Sequence, residues 1–411
     1  MVAYQVIMRI GWIFKTESVI MPAFLDSIGG AGWLRGCLPM FNRFGQSIPP
    51  LLMARRIKVM PRKKWALAAC TSLMAFSFLA LSAIWLVFGA SPASWQPIVF
   101  IFFYAMFFIS TGVNQIAFGT IQGKLVPVNR RGRLLLIASI LGAVLAIGAA
   151  VSLLPFWLRP DGGDFGLIFG FSGLCFVVSA VAALCLREQP DKHKQPPHPF
   201  IEHFTGAIQT LRNDTNFRRL AIVGALFGTS MMLFPHYQAL GRERLSLQFN
   251  SLIWFVVVQN AGVALFSFPA GSLADRFGNR MVLRMTMLAM CSAPLTALAL
   301  VYFRSVGHSA YYLVFLLVGL TPVTIKTINN YTLEICDSSD HPRYLSTLGL
   351  CIFAPVFFSP LVGFLVDALN FESVFIGITV LVFIGWLLTF GLQEPRHHIS
   401  TSAVPASITG D

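Results

Sequence analysis

A chain of 411 residues in which 56% of side chains are hydrophobic and only 11% charged has too little polar surface to fold in water, so a soluble protein is excluded. Its mean hydropathy of +0.71 and net charge of +13 point to a polytopic membrane protein. The placement of that charge, set out next, excludes a nucleic-acid partner and assigns the basic excess to anionic lipid.

A spanning helix needs about 20 mostly apolar residues. Twelve such runs occur, at 4–25, 33–54, 66–89, 97–121, 132–156, 165–186, 218–239, 251–272, 282–303, 310–333, 345–367 and 373–393. With both termini placed in the cytoplasm, 21 of the 30 Lys and Arg fall in cytoplasmic segments, five in outer loops and four (Arg9, Lys15, Arg43, Lys326) inside runs. The opposite orientation would reverse this positive-inside bias. The N-terminal run has no cleavage pattern and is expected to remain as the first spanning helix.

In that first run Lys15 and Glu17 lie near the expected bilayer midplane. Residues two apart point about 200° apart on a helix, so each needs a partner elsewhere, because an uncompensated charge at that depth is costly. Arg43 of the second run reaches a similar depth, which makes a Glu17 to Arg43 pair the natural expectation. Pro22, Pro39, Pro49 and Pro50 predict bends. In the fourth run Gln115 and Gln122 share a face. The fifth carries a small-residue stripe of Gly142, Ala143, Ala146, Gly148, Ala149 and Ala150, suited to close helix contact.

Residues 188–216 are polar and Pro-rich and read as a linker. Within them Phe200, Ile201, Phe204, Ile208 and Leu211 recur at helical spacing, predicting an amphipathic helix on the inner membrane surface. His236, at the outer end of the seventh run, reads as a packed residue. Gln259 and Asn260 sit mid-way along the eighth. In the tenth, Lys326, Asn329 and Asn330 share a face. Asp26 and Asp367 lie at outer run ends and read as solvated. Seven cysteines without a C-x-x-C pair read as packing residues, so no disulfide, metal or cofactor is expected. The tail beyond Glu394 reads as disordered.

The stretch FPAGSLADRFGNRMVLR, Phe268 to Arg284, is a charged turn between two apolar runs. Gly271 and Ala274 allow close helix approach, Gly278 supplies the backbone angles of a tight reversal, and Asp275 offers a carboxylate to a helix N-terminus or an Arg. Gly271, Leu273, Ala274, Asp275, Arg276, Gly278 and Arg280 resemble the G-x-L-A-D-R-x-G-x-R loop of the major facilitator superfamily of secondary transporters. That resemblance implies a charge relay latching one conformation of an alternating-access carrier. Aligning Ile48-Pro49 with Phe268-Pro269 gives an internal offset of 220 residues, close to half the chain, which predicts a duplicated six-helix unit. In the first copy Arg55 stands where the acid would be, so an acid elsewhere must stand in or the latch belongs to the second half alone. Pro127, Arg131, Gly132 and Arg133, with Glu334 and Arg343, resemble the superfamily's other turn elements. The fifth run lacks the G-P-x-x-G-G element of many drug-proton antiporters.

The expected architecture is an all-α integral membrane fold of twelve transmembrane helices in two pseudo-symmetric bundles. Residues 1–187 form the first bundle, 188–216 the cytoplasmic linker, 217–394 the second bundle and 395–411 the cytoplasmic tail. In this superfamily the first, fourth, seventh and tenth helices line a central cavity, and here they hold the polar residues, whose burial without partners would be costly. Lys15, Arg43, Gln115, Lys326, Asn329 and Asn330 are the candidate substrate-binding residues and Glu17 the candidate proton carrier. Gly271, Asp275, Arg276, Gly278 and Arg280 are the candidate conformational motif. The expected protein moves a small, anionic solute by proton-coupled alternating access as a monomer, in contact with membrane lipids, in a bacterial-type plasma membrane. A membrane sensor of the same fold that binds a partner without transport is the rival. An enzyme is disfavoured, since no H-E-x-x-H, paired acidic motif or nucleotide loop is present.

Overall fold

The computed structural model describes residues 1–89, 93–160, 162–190, 200–337 and 340–394. The first half contains α1 (Val2–Ile13), α2 (Ile20–Ser27), α3 (Gly32–Val59), α4 (Lys64–Phe88), α5 (Gln96–Leu125), α6 (Val128–Trp157) and α7 (Phe165–Leu184), with a two-residue antiparallel pairing, β1 (Leu158–Arg159) and β2 (Gly162–Gly163), between the last two. After α8 (Phe200–Asn213), the second half contains α9 (Thr215–Ser230), α10 (Phe234–Leu245), α11 (Ser251–Phe277), α12 (Asn279–Met290), α13 (Ser292–Tyr302), α14 (Arg304–Ala310), α15 (Tyr312–Val318), α16 (Leu320–Glu334), α17 (His341–Val356), α18 (Ser359–Ala368) and α19 (Phe371–Leu388).

Ten helical stretches among the described residues are long and apolar enough to cross a membrane, and they coincide with the third to twelfth expected runs. The first two runs depart for physical reasons. The first is interrupted between Ile13 and Ile20; the second is continuous over 28 residues but carries Arg35, Asn42, Arg43 and Gln46, which dilute its apolar character.

The interruptions follow proline. Pro22, Pro235, Pro294, Pro322 and Pro360 each fall in the first turn of the segment after a break. A proline there lacks the N–H that would bond the carbonyl four residues back, so the preceding helix stops while the next begins without strain. Pro39, Pro49 and Pro50 by contrast lie inside an unbroken α3.

The two halves repeat one packing scheme. In the first, α1 packs on α6 and α7, α3 on α5, and α4 on α5 and α7; in the second, α9 packs on α17 and α19, α11 on α15 and α16, and α12 on α16 and α19. Aromatic edges fill the first half, where Phe24 meets Trp85, Phe100, Phe165 and Phe169. The helix α8 packs on α9 and α17, burying Ala207 and Thr210 while leaving Ile208 exposed. The side chains of Phe200, Ile201 and Phe204 lie outside the described residues, as do those of Arg131, Gly132 and Arg133 and the whole tail from 395.

The halves meet tightly at one end. A Cβ on Gly36 would strike the Ser359 carbonyl, and one on Gly363 the Gly32 carbonyl, so α3 and α18 touch backbone to backbone. Around this contact Arg35 pairs with Asp26 of its own half and with Glu243 of the other at 3.1 Å. Gln238 donates to Asp26 at 2.7 Å, and the Gly32 N–H donates to Asp367 at 2.7 Å. The expectation that Asp26 and Asp367 are solvated is therefore corrected: the opposite half supplies their partners, which no local reading of a helix end reveals.

At the other end each half carries the same device. Glu188, just past α7, accepts from the N–H groups of Lys63 and Lys64 at 3.0 and 2.8 Å and pairs with Lys124 at 2.9 Å. Glu394, just past α19, pairs with Arg280 at 2.9 Å. Glu188 and Glu394 are thus equivalent acids, at the end of the sixth and of the last span, and neither stands at the place that Asp275 holds in the charged turn.

Candidate substrate cavity

The break in the first span has a local cause. Pro22 cannot donate to the Ser18 carbonyl, and Thr16 captures the freed backbone, its Oγ1 accepting from the Ile20 N–H at 3.2 Å and its carbonyl from Met21 at 3.0 Å. Lys15, Thr16, Glu17 and Ser18 therefore project from non-helical backbone in mid-span. All four line a cavity of about 610 Å³ between the two halves. Its walls come from α1, α3, α5 and α6 on one side and α10, α11 and α16 on the other. Arg9, Gln115 and Lys326 are solvent-exposed on those walls, so the cavity is open, on the side away from the α3–α18 contact.

The charged groups are held differently. Lys15 is 3% exposed and lies 3.2 Å from the Trp12 ring centroid and 4.3 Å from that of Phe108, so aromatic faces stabilise its ammonium. Glu17 accepts from Asn42 Nδ2 and feels the charges of Arg43 and Lys15. No ion pair joins Glu17 to Arg43 among the described residues, and Arg43 is absent from the cavity wall; the expected pair is corrected to a Glu17–Asn42 hydrogen bond. Ser18 donates to Gln259 Oε1 at 2.6 Å, a polar link between the halves at mid-depth.

The other expected residues divide. Gln115, Gln259, Asn260 and Lys326 line the cavity. Asn329 and Asn330 do not; they lie about a turn beyond Lys326 on α16. Asn114 lines it but is occupied in a buried cluster with Tyr4 and Thr71 at 2.8 to 3.1 Å that ties α1, α4 and α5 together. His236 is fully buried, and neither ring nitrogen has a hydrogen-bond partner among the described residues. Arg9, Trp12 and Asn42 were not singled out as site residues, although Gln5, Arg9 and Trp12 recur at helical spacing on one face of α1 and would have signalled it.

The second half matches the family model described as Major Facilitator Superfamily over residues 231–408. Solved structures match over nearly the whole chain. A crystal structure of the nucleoside transporter NupG superposes with a TM-score of 0.72 at 12% identity, covering 96% of this chain and 98% of its own. The bacterial homolog of the human lysosomal transporter Spinster, inward-facing and unoccupied, gives 0.67 at 14% identity with 98% of each covered. The second half is thus similar to the major facilitator superfamily, and the whole chain shares the fold of these solved transporters. The D-xylose-proton symporter gives 0.70 at 11% identity, covering 96% and 98%. No curated protein matches it in sequence.

In this chain the charged turn behaves as its glycine demands. Gly278 has φ of +85° and separates α11 from α12. Arg280 also donates to the Leu392 carbonyl at 3.1 Å, and Arg284 to the Thr389 carbonyl at 3.4 Å. Gly271 faces open space, so the close approach expected there is not made in this conformation; Asp275 and Arg276 are exposed, the latter 5.1 Å from the Phe277 ring.

Proposed function

We propose that the protein is a secondary transporter that moves a small organic anion across the membrane by alternating access, coupled to protons through Glu17. The observation that carries this reading is one cavity, open at one end and sealed at the other, walled by both halves at mid-depth. Its charged lining comprises Arg9, Lys15 and Lys326 against the single acid Glu17. A water-accessible cavity with that excess of cations favours an anionic ligand. The neighbours named above transport nucleosides or carry D-xylose with protons, which supports solute transport without fixing the solute.

The basic segments at the open end support a cytoplasmic location for it by the positive-inside rule, and on that reading this is the inward-open state. Residues 1–187 and 217–394 are the two moving units and 188–216 the tether. Protonation of Glu17 removes the cavity's negative charge and strengthens its attraction for the anion, so the two ligands favour each other. The exposed Gly271, Asp275 and Arg276 are read as a latch that engages when the inner ends close.

The test is uptake into proteoliposomes under an imposed pH gradient, across labelled carboxylates, phosphates, sugars and nucleosides. An anion should accumulate with the gradient, and Glu17→Gln should carry it at a rate that no longer responds to pH. Stable binding of a partner protein with no flux of any solute would overturn the transporter reading in favour of a sensor.

A further inference from the structure

Arg9 and Lys326 are a matched pair of unused charges. Arg9 comes from α1 in the first half and Lys326 from α16 in the second, both line the cavity and both are exposed. No hydrogen bond or ion pair engages either among the described residues. The cavity's other charges are held: Lys15 by aromatic faces and Glu17 by Asn42. The aliphatic stem of Arg9 lies against Gly142 of α6, where an added Cβ would meet its Cδ at 2.9 Å.

We infer that Arg9 and Lys326 form a split anion clamp that bars the empty cavity from closing. Resting on the carrier reading above, the argument is electrostatic. Closing the open end swings the two halves together and expels water from between two like charges that have no other partner, where their repulsion is strongest. A carboxylate or phosphate held between them converts that repulsion into two charge-assisted hydrogen bonds, with guanidinium geometry suiting either oxyanion. Trp12 and Phe234, on the same walls, suit an apolar or aromatic body on the ligand. The loaded cavity therefore closes faster than the empty one, and exchange of anion across the membrane outpaces its net movement.

The test uses Ala143→Cys on the cavity wall as a reporter and a membrane-impermeant maleimide applied from the sealed side of oriented vesicles, with no anion other than chloride. With Arg9 and Lys326 in place the thiol should label slowly from that side. In Arg9→Gln/Lys326→Gln it should label about tenfold faster, as expected when a close like-charge contact is removed from a partly desolvated site. The charge-preserving Arg9→Lys/Lys326→Arg should stay slow. Labelling from the open side at an unchanged rate identifies folded variants, and Arg9→Gln alone, with part of the effect, serves where the double variant does not fold. Unchanged labelling of the neutralised variants from the sealed side overturns the clamp even if anion uptake is intact. Faster labelling with no uptake of any anion would overturn the carrier reading and leave the charge bar standing.

Discussion

Glu188 owes its state to competition between burial and three neighbours. Burial alone would raise its carboxyl, but the hydrogen bond from Lys124, the N–H groups of Lys64 and Lys63 and the Lys124 charge more than offset this and hold it below the usual carboxylate range. Its stabilising contribution is thus fully present above the unfolded value of about 4.3 and is lost as pH falls through the lower folded value. Glu188→Gln should destabilise the protein by about 2–3 kcal/mol at neutral pH and flatten the acid limb of its thermal stability, read by unfolding in detergent from pH 7 to 4. An unchanged acid limb would show that the network contributes nothing. Lys15 poses the reverse case, a buried cation stabilised by rings rather than by an acid. That arrangement was not legible in sequence, because Phe107 and Phe108 lie about ninety residues from it along the chain.

At the scale of the element, the broken first span is the feature that makes a site. Pro22→Ala restores the donor to the Ser18 carbonyl and should let the helix run through the break, withdrawing Glu17 and Ser18 from the cavity. We expect a gain of up to about 3 kcal/mol in stability together with loss of uptake, measured by unfolding and flux on one preparation. Uptake unaffected by the substitution would deny the break a role. Prolines were visible from the start, and bends were expected of them all. Whether each bends, breaks or is tolerated depends on neighbours: Pro39, Pro49 and Pro50 lie in a helix clamped along its length by α5 and α18, whereas Pro22 is preceded by Thr16, whose hydroxyl accepts from the Ile20 N–H.

For the molecule as a whole, the sealed end sets which mouth of the cavity is closed. The glycine contact between α3 and α18 and the Arg35 bridge to Asp26 and Glu243 join the two halves directly. Gly36→Ala inserts a methyl group against the Ser359 carbonyl and should separate the halves, and Arg35→Gln removes both ionic links. Each should raise labelling of Ala143→Cys from the sealed side several-fold, by loosening the seal rather than by altering cavity charge. Equal labelling in both variants and the parent would show that the seal lies elsewhere. The Glu188 and Glu394 devices at the opposite end act within a half, so neither needs to break when that end closes.

The sequence by itself determined the membrane class, ten of the spans and the duplicated halves, because these follow from hydropathy and spacing along a single strand of chain. It also named Lys15, Glu17, Gln115 and Lys326 as residues too polar for lipid. Only the tertiary structure decided which of them share a cavity, that Asn42 rather than Arg43 meets Glu17, that Glu188 meets Lys63, Lys64 and Lys124 and that Arg9 lines the same cavity as Lys326. Each of those depends on contact between segments far apart in the chain. Such contacts are fixed by how whole helices pack, and a periodicity within one helix records only which face it turns inward.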